Sequence, residues 1–203
     1  MIRIINYDAG NILNVARAFK QIGAESIISS DLSELDLEKD ILVLPGVGSF
    51  GATMESLNKL NLTEAIKTFI SAGGKFLGIC LGEQLLFEES DESKGVKGLG
   101  VFPGKVTRFD SAICGKVPQT GWNNIQVKHP FFKDFHDKFF YFVHSYYIPY
   151  NQENCLASTI YRVEFNSAII KDNLLAVQFH PEKSGSIGLC FLQKVLEYFT
   201  ILK

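Results

Sequence analysis

The apolar positions of the chain change period twice. IRIINY (2–7), ESIIS (25–29), DILVLPG (40–46) and KFLGIC (75–80) are short β-rich runs stopped by Gly, Pro or polar residues. NILNVARAFKQIG (11–23) and TEAIKTFISAGG (63–74) instead carry apolar residues at helical spacing and close on glycine. Strands alternating with helices predict a parallel sheet with crossover helices. From about residue 95, GLGVFPGKVTRF, GWNNIQV, KFFYFVHSYYIP, CLASTIYRVEFNSAIIK and LLAVQFHPE read as strands joined by turns. Residues 184–202 return to helix, with Ile187, Phe191, Val195 and Phe199 on one stripe. The predicted fold is therefore α/β: a doubly wound, mostly parallel sheet flanked by helices, with an additional antiparallel region in the second half. No repeat, linker or low-complexity tract interrupts it, so 1–203 reads as one domain.

Composition narrows the function without naming it. Of 203 residues, 46% are hydrophobic and 21% charged, the balance of a soluble globular protein. Twenty Lys and Arg against 22 Asp and Glu leave a net charge of −2 and no basic stripe, so nucleic acid is not expected as a partner. The N-terminal apolar run is short and no window approaches the ~18 apolar residues of a membrane span, which predicts a cytoplasmic protein without membrane contact. Cys80, Cys114, Cys155 and Cys190 lie far apart with no C-x-x-C pair. They read as free thiols, with neither a zinc site nor a disulfide framework, and no metal or other cofactor is expected.

GICLGEQLLF (78–87) carries the first candidate chemistry. KFLGIC reads as a buried parallel strand, and LGEQLLFEES, with Leu81, Leu85 and Glu88 stepping round a helix, follows at once. Cys80 then sits on a strand-to-helix elbow, flanked by Gly78 and Gly82 that let the backbone pass without clash. A helix N-terminus favours thiolate, and the N–H of Leu81 points where an oxyanion would form. Taken alone, a lone cysteine reads more simply as a buried core thiol. A nucleophile also needs a base and an orienter, and VQFHPEKSG offers His180 and Glu182 two residues apart, on one side if the extended chain continues. An exposed His-Pro-Glu turn before a helix is the plain alternative. A third segment, ILVLPGVGSFG (41–51), ends a strand on Gly46-Val47-Gly48, whose successive N–H groups form a second donor set; without the partner motifs it is an ordinary loop. Neither a P-loop lysine nor a dinucleotide fingerprint is present. His129 and His136 lack a carboxylate at a strand-like offset.

In this order and over nearly the whole chain, GICLGEQLLF, LPGVGSFG, GWNN, YFVHSYY and VQFHPEKSG resemble the triad-type (class I) glutamine amidotransferases. YDAGNILN, GWN and FVHSYY most resemble the glutaminase subunits of imidazole glycerol phosphate synthase within that group. The resemblance implies hydrolysis of glutamine to glutamate and ammonia. It further implies a 1:1 heterodimer with a (β/α)₈ cyclase/synthase subunit, which uses the ammonia in histidine synthesis. Carried over position by position, it makes Cys80 the nucleophile, His180 the general base and Glu182 the orienter. Gly46, Val47 and Gly48 match the oxyanion strand with Leu81 as second donor; Gln84, His144, Ser145 and Tyr146 match glutamine-holding positions. Asn11, Asn14, Trp122 and Lys183 match positions facing the synthase. Without the family these four read as an N-cap, a surface amide, a buried indole and a surface lysine, and His144 as a core aromatic.

Two departures stand out. Glu83 occupies a position where the family usually has Met; on a first helical turn it suits the helix dipole, but facing Cys80 it would oppose a thiolate. Gln119-Thr120 replace the usual His-Met before Gly-Trp-Asn, in the segment expected to touch the synthase. They leave room for a paralogous glutaminase whose barrel partner amidates a surface-polysaccharide sugar. A stand-alone cysteine hydrolase and a catalytically silent scaffold for the synthase are the remaining alternatives.

Overall fold

The computed structural model describes residues 1–7 and 11–202, so Asp8, Ala9 and Gly10 of the YDAGNILN stretch lie outside the described residues. In chain order the elements are β1 Ile2–Ile5, α1 Ile12–Gln21, β2 Ser26–Ser29, β3 Ile41–Gly46, α2 Phe50–Lys59, α3 Leu62–Ser71, β4 Lys75–Cys80, α4 Leu81–Gln84, β5 Phe87–Ser90 and β6 Phe102–Arg108. There follow α5 Ser111–Cys114, β7 Gln119–Asn124, β8 Gln126–Val127, β9 Phe139–His144, β10 Tyr146–Pro149, β11 Cys155–Tyr161, β12 Val163–Lys171, β13 Leu174–Val177 and α6 Gly185–Ile201. Pro130–Phe135 and Pro181–Lys183 are 3₁₀ turns.

An eleven-stranded sheet runs β2-β1-β3-β4-β13-β12-β10-β6-β5, with β11 paired to β12 and β8 to β11. β2, β1, β3, β4 and β13 pair in parallel, while β12, β10, β11 and β8 add the antiparallel region. Side chains alternate between the faces, as a period of two requires. Val43, Leu77 and Ile79 pack with Val15 and Phe19 of α1 and Phe191, Val195 and Phe199 of α6. Leu42, Leu44 and Phe76 pack with Met54 and Leu57 of α2 and Ile66 and Phe69 of α3 on the other face. Helices thus cover both faces, and the α6 stripe is buried as its spacing predicts, with Ile187 partly buried at its start. Among the described residues no helix is long and apolar enough to cross a membrane.

The structure corrects one element. The helix expected over LGEQLLFEES is a single turn, Leu81–Gln84, after which Phe87–Ser90 forms β5 and pairs in parallel with β6. Pairing and burial override local helical spacing here: Phe87 stacks on Phe102 with ring centroids 5.5 Å apart, and Ser90 is buried. β7 and β9 form a separate antiparallel ribbon in which Trp122 pairs with Tyr141 and Gln119 with His144.

Candidate active site

β3, β4 and β13 lie side by side and parallel, so their carboxyl ends meet at one edge of the sheet, where open α/β folds place their ligands. Gly46 is the register partner of Cys80, and Val177 that of Ile79. The glycine loop, the cysteine elbow and the FHPE segment therefore converge without further adjustment. Cys80 adopts φ 55 and ψ −109, a positive φ that an L side chain rarely takes, so the elbow holds its thiol in a strained backbone. The neighbouring glycines are required by close approach. A Cβ on Gly82 would lie 2.0 Å from the Leu44 carbonyl oxygen, and one on Gly78 would lie 2.8 Å from that of Gly82.

His180 Nδ1 is 2.8 Å from Glu182 Oε1, and both side chains are buried. They meet differently from the expected extended dipeptide: the chain turns into the 3₁₀ segment at Pro181, and that turn brings the carboxylate back under the ring. Asn11 stands at the N-cap position of α1, but its side chain caps no N–H. Its Nδ2 donates instead to Glu182 Oε1 at 2.9 Å, and Asn14 donates to Asn11 Oδ1. Burial acts to raise the Glu182 carboxyl, but the hydrogen bond and charge of His180 and the Asn11 amide outweigh it and hold it low. Burial likewise acts to lower His180, and the charge and hydrogen-bonding capacity of Cys80, followed by those of Glu182, outweigh it and raise it. His180 Nε2 is buried with no hydrogen-bond partner among the described residues, which leaves it for the sulfur side.

A cavity of about 410 Å³ opens over this group, lined by Val47, Gly48, Cys80, Leu81, Gln84 and Glu92, with Pro118, Val143, His144, Ser145, Tyr146, His180 and Lys183 completing the wall. Every residue expected to hold glutamine lines it except Gly46, which is buried beneath it at the end of β3. Lys183, expected at the partner surface, stands exposed at its rim. Gln84 Nε2 donates to the Tyr146 carbonyl at 3.0 Å and to Gln178 Oε1 at 2.7 Å, so toward a ligand Gln84 offers its Oε1. Burial lowers His144 to about 4, keeping its ring neutral near pH 7. Its Nδ1 is 2.7 Å from the Tyr146 carbonyl, which can only accept, so Nδ1 carries the proton. Nε2 stands 2.9 Å from the Gln119 side-chain oxygen position; with Nδ1 protonated Nε2 can only accept, so the NH₂ of that amide belongs at this position.

Gln119 is thus buried against the cavity wall and does not face outward as expected, whereas Thr120 is exposed. Trp122, which residue type alone suggested was buried, is 55% exposed. No sequence motif marks Glu92, a half-buried carboxylate whose Oε2 accepts from Phe50 N at 2.6 Å; it reaches the cavity because β5 ends just before it. His129 caps a 3₁₀ turn and His136 lies beside Asp137, both away from the cavity. All four cysteines are free.

Glu83 is 0% exposed, and neither carboxyl oxygen has a hydrogen-bond partner among the described residues. Burial, and then the charge of Cys80, push its carboxyl well above the ordinary carboxylate value, which disfavours a negative charge against the sulfur. The carboxyl that the sequence sets on a first helical turn is thus a buried group, where a charge would gain little from the helix dipole. An unfolded chain ionises this group more readily than the folded one, so its burden on stability grows as pH rises above the ordinary value of 4.5. Glu83→Met, of similar volume, should be more stable by on the order of 1–3 kcal/mol at pH 7, with a smaller gain at pH 5. Urea unfolding at the two pH values checks this; no gain, or a larger one at pH 5, would contradict it.

A parallel sheet covered on both faces, with a cysteine elbow facing a His–Glu pair at its carboxyl edge, has counterparts among known proteins. The glutamine amidotransferase class-I model matches residues 3–192, and the chain belongs to that family. Solved structures agree in fold: a glutamine amidotransferase crystal structure superposes with TM-score 0.77 at 18% identity, covering 99% of this chain and 100% of that one. The PurLQS structure from Thermotoga maritima gives 0.74 at 18% identity, covering 97% of each. Within the family, the imidazole glycerol phosphate synthase subunit HisH of Methanothermobacter thermautotrophicus is 45% identical over 199 residues, 97% of this chain and 98% of that one. The subunit of the same name from Chlorobaculum tepidum is 43% identical over 203 residues, 98% and 100% of the two chains.

Proposed function

We propose that the chain, as one domain over residues 1–203, is the glutaminase subunit of imidazole glycerol phosphate synthase, acting in the cytoplasm without a cofactor. The observation that carries the reading is the Cys80–His180–Glu182 group under a cavity matched to a small polar amino acid. Glu92 offers a counter-charge to the α-ammonium of glutamine, and Gln84, His144, Ser145 and Tyr146 line the path to the sulfur. Cys80 as thiolate attacks the side-chain amide carbon, and the oxyanion is received by the Leu81 N–H and the Gly46–Val47–Gly48 segment. His180, held protonated, gives its proton to the departing ammonia and then takes one from the water that cleaves the thioester. Glu182 fixes the imidazole tautomer, and Asn11 fixes Glu182.

Ammonia released into water at neutral pH is mostly ammonium, which is no nucleophile, so the product must pass directly to a partner. We assign that role to a (β/α)₈ synthase subunit in a 1:1 heterodimer. The β7–β9 ribbon supports this by exposing Trp122 and Phe139 beside Ile160. The ribbon is also tied to the triad turn: His180 N donates to the Tyr141 carbonyl at 2.9 Å and Tyr141 N to Ser184 Oγ at 3.0 Å. Asn14 and Lys183 are exposed near the same edge. The sugar-amidating alternative loses the support of Gln119, which faces inward, and the assembled triad argues against a silent scaffold. Glutamine hydrolysis should be slow in the chain alone and rise by about 100-fold or more with the synthase subunit and its acceptor. Equal rates with and without them would favour a stand-alone hydrolase.

A further inference from the structure

Gln178, in the segment that leads from β13 to His180, is fully buried and does not line the glutamine cavity. Its orientation is fixed through a chain of hydrogen bonds that starts at an atom with only one possible role. A main-chain carbonyl can only accept, so the Tyr146 carbonyl, 3.0 Å from the Gln84 side chain, identifies the nitrogen of that amide. The same nitrogen donates to Gln178 at 2.7 Å, so the atom it meets is the Gln178 oxygen. The Gln178 NH₂ must then face the other way, where its Nε2 lies 3.6 Å from Cys80 Sγ. Strand register places it there as well, since Val177 pairs with Ile79 and the next residues on each chain are Gln178 and Cys80. Gln84 is only 4% exposed, so water does not loosen the chain of amides.

We propose that Gln178 is a further catalytic residue, its carboxamide N–H donating to the Cys80 sulfur whenever that atom carries charge. The assignment rests on Cys80 being the nucleophile. In the first step a sulfur electron pair forms the S–C bond and the negative charge moves to the substrate oxygen, so the N–H···S bond weakens. When water has added to the thioester and the C–S bond breaks, the pair returns to sulfur and the hydrogen bond re-forms. Gln178 transfers no proton; it stabilises the sulfur anion as nucleophile and as leaving group. Because it lies behind the sulfur and outside the cavity, it acts on kcat and leaves KM unchanged.

Gln178→Met keeps the length and removes the donor. In a Cys190→Ser background, which removes the exposed thiol, alkylation of Cys80 by iodoacetamide at pH 7 should slow about tenfold. In the complex, kcat should fall about tenfold with KM for glutamine unchanged. Unchanged alkylation overturns the proposal, as does a loss confined to KM. If Gln178→Met does not fold, the native side chain answers directly. In ¹⁵N spectra of the full chain, the Gln178 NH₂ resonances should move when Cys80→Ala removes the sulfur, and resonances that stay in place overturn it. Glutamine hydrolysis that survived in Cys80→Ala would instead remove Cys80 as nucleophile, and the catalytic role of Gln178 with it, while the amide resonances would still report the N–H···S contact itself.

Discussion

Cys80→Ala should lower glutamine hydrolysis by about 10⁴-fold or more while leaving synthesis from free ammonia in the complex intact. The thioester route needs the sulfur, and neither His180 nor the oxyanion donors can supply a substitute nucleophile. Folding should survive because alanine keeps the Cβ and loses a single atom. The positive φ of Cys80 adds a second expectation for the same position. Cys80→Gly should be as inactive as Cys80→Ala but more stable by about 1–2 kcal/mol, since glycine adopts this backbone without strain. Steady-state glutamate release, ammonia-dependent synthesis and urea unfolding of both variants check the set. A stable Cys80→Ala with near-native hydrolysis would remove Cys80 from the mechanism.

Gly82→Ala should be the most damaging single methyl group in the cysteine elbow. Its Cβ would meet the Leu44 carbonyl oxygen at 2.0 Å, and a backbone atom inside a paired strand cannot swing aside as a side-chain end can. The elbow would have to lift off β3, with a loss of about 3 kcal/mol or more and displacement of Cys80 from its place opposite Gly46. Thermal unfolding and glutaminase rate should fall together; a variant of native stability would mean that the elbow does not sit against β3 as described.

The features legible in the sequence were those written in local chemistry. A thiol between two glycines, a His-Pro-Glu at the end of an apolar run and a Gly-Val-Gly after another each name a backbone geometry and a reactive group within a few residues. What escaped was decided by contacts far along the chain. β5 carries residues at helical spacing and becomes a strand because Phe102 and the β6 backbone wait for it, and with it went Glu92. Trp122 sits on a two-stranded ribbon whose outer face no alternation of residue types can identify. Gln119 and Gln178 are amides in polar or mixed surroundings by sequence, and only the three-dimensional chain of donors and acceptors reveals which atoms they serve. Glu83 stands out by residue type, but its burial without a partner among the described residues cannot be read from a helical turn that lasts four residues.

The central claim is that the amide nitrogen of glutamine, freed at Cys80, reaches the synthase without mixing with bulk ammonium. It is tested most directly by supplying the complex at pH 7 with [amide-¹⁵N]glutamine, the acceptor ribotide and an excess of unlabelled ammonium. Imidazole glycerol phosphate should carry the glutamine label nearly undiluted, with one glutamate released per product molecule; label diluted to the ammonium pool, or glutamate released without product, would contradict the account.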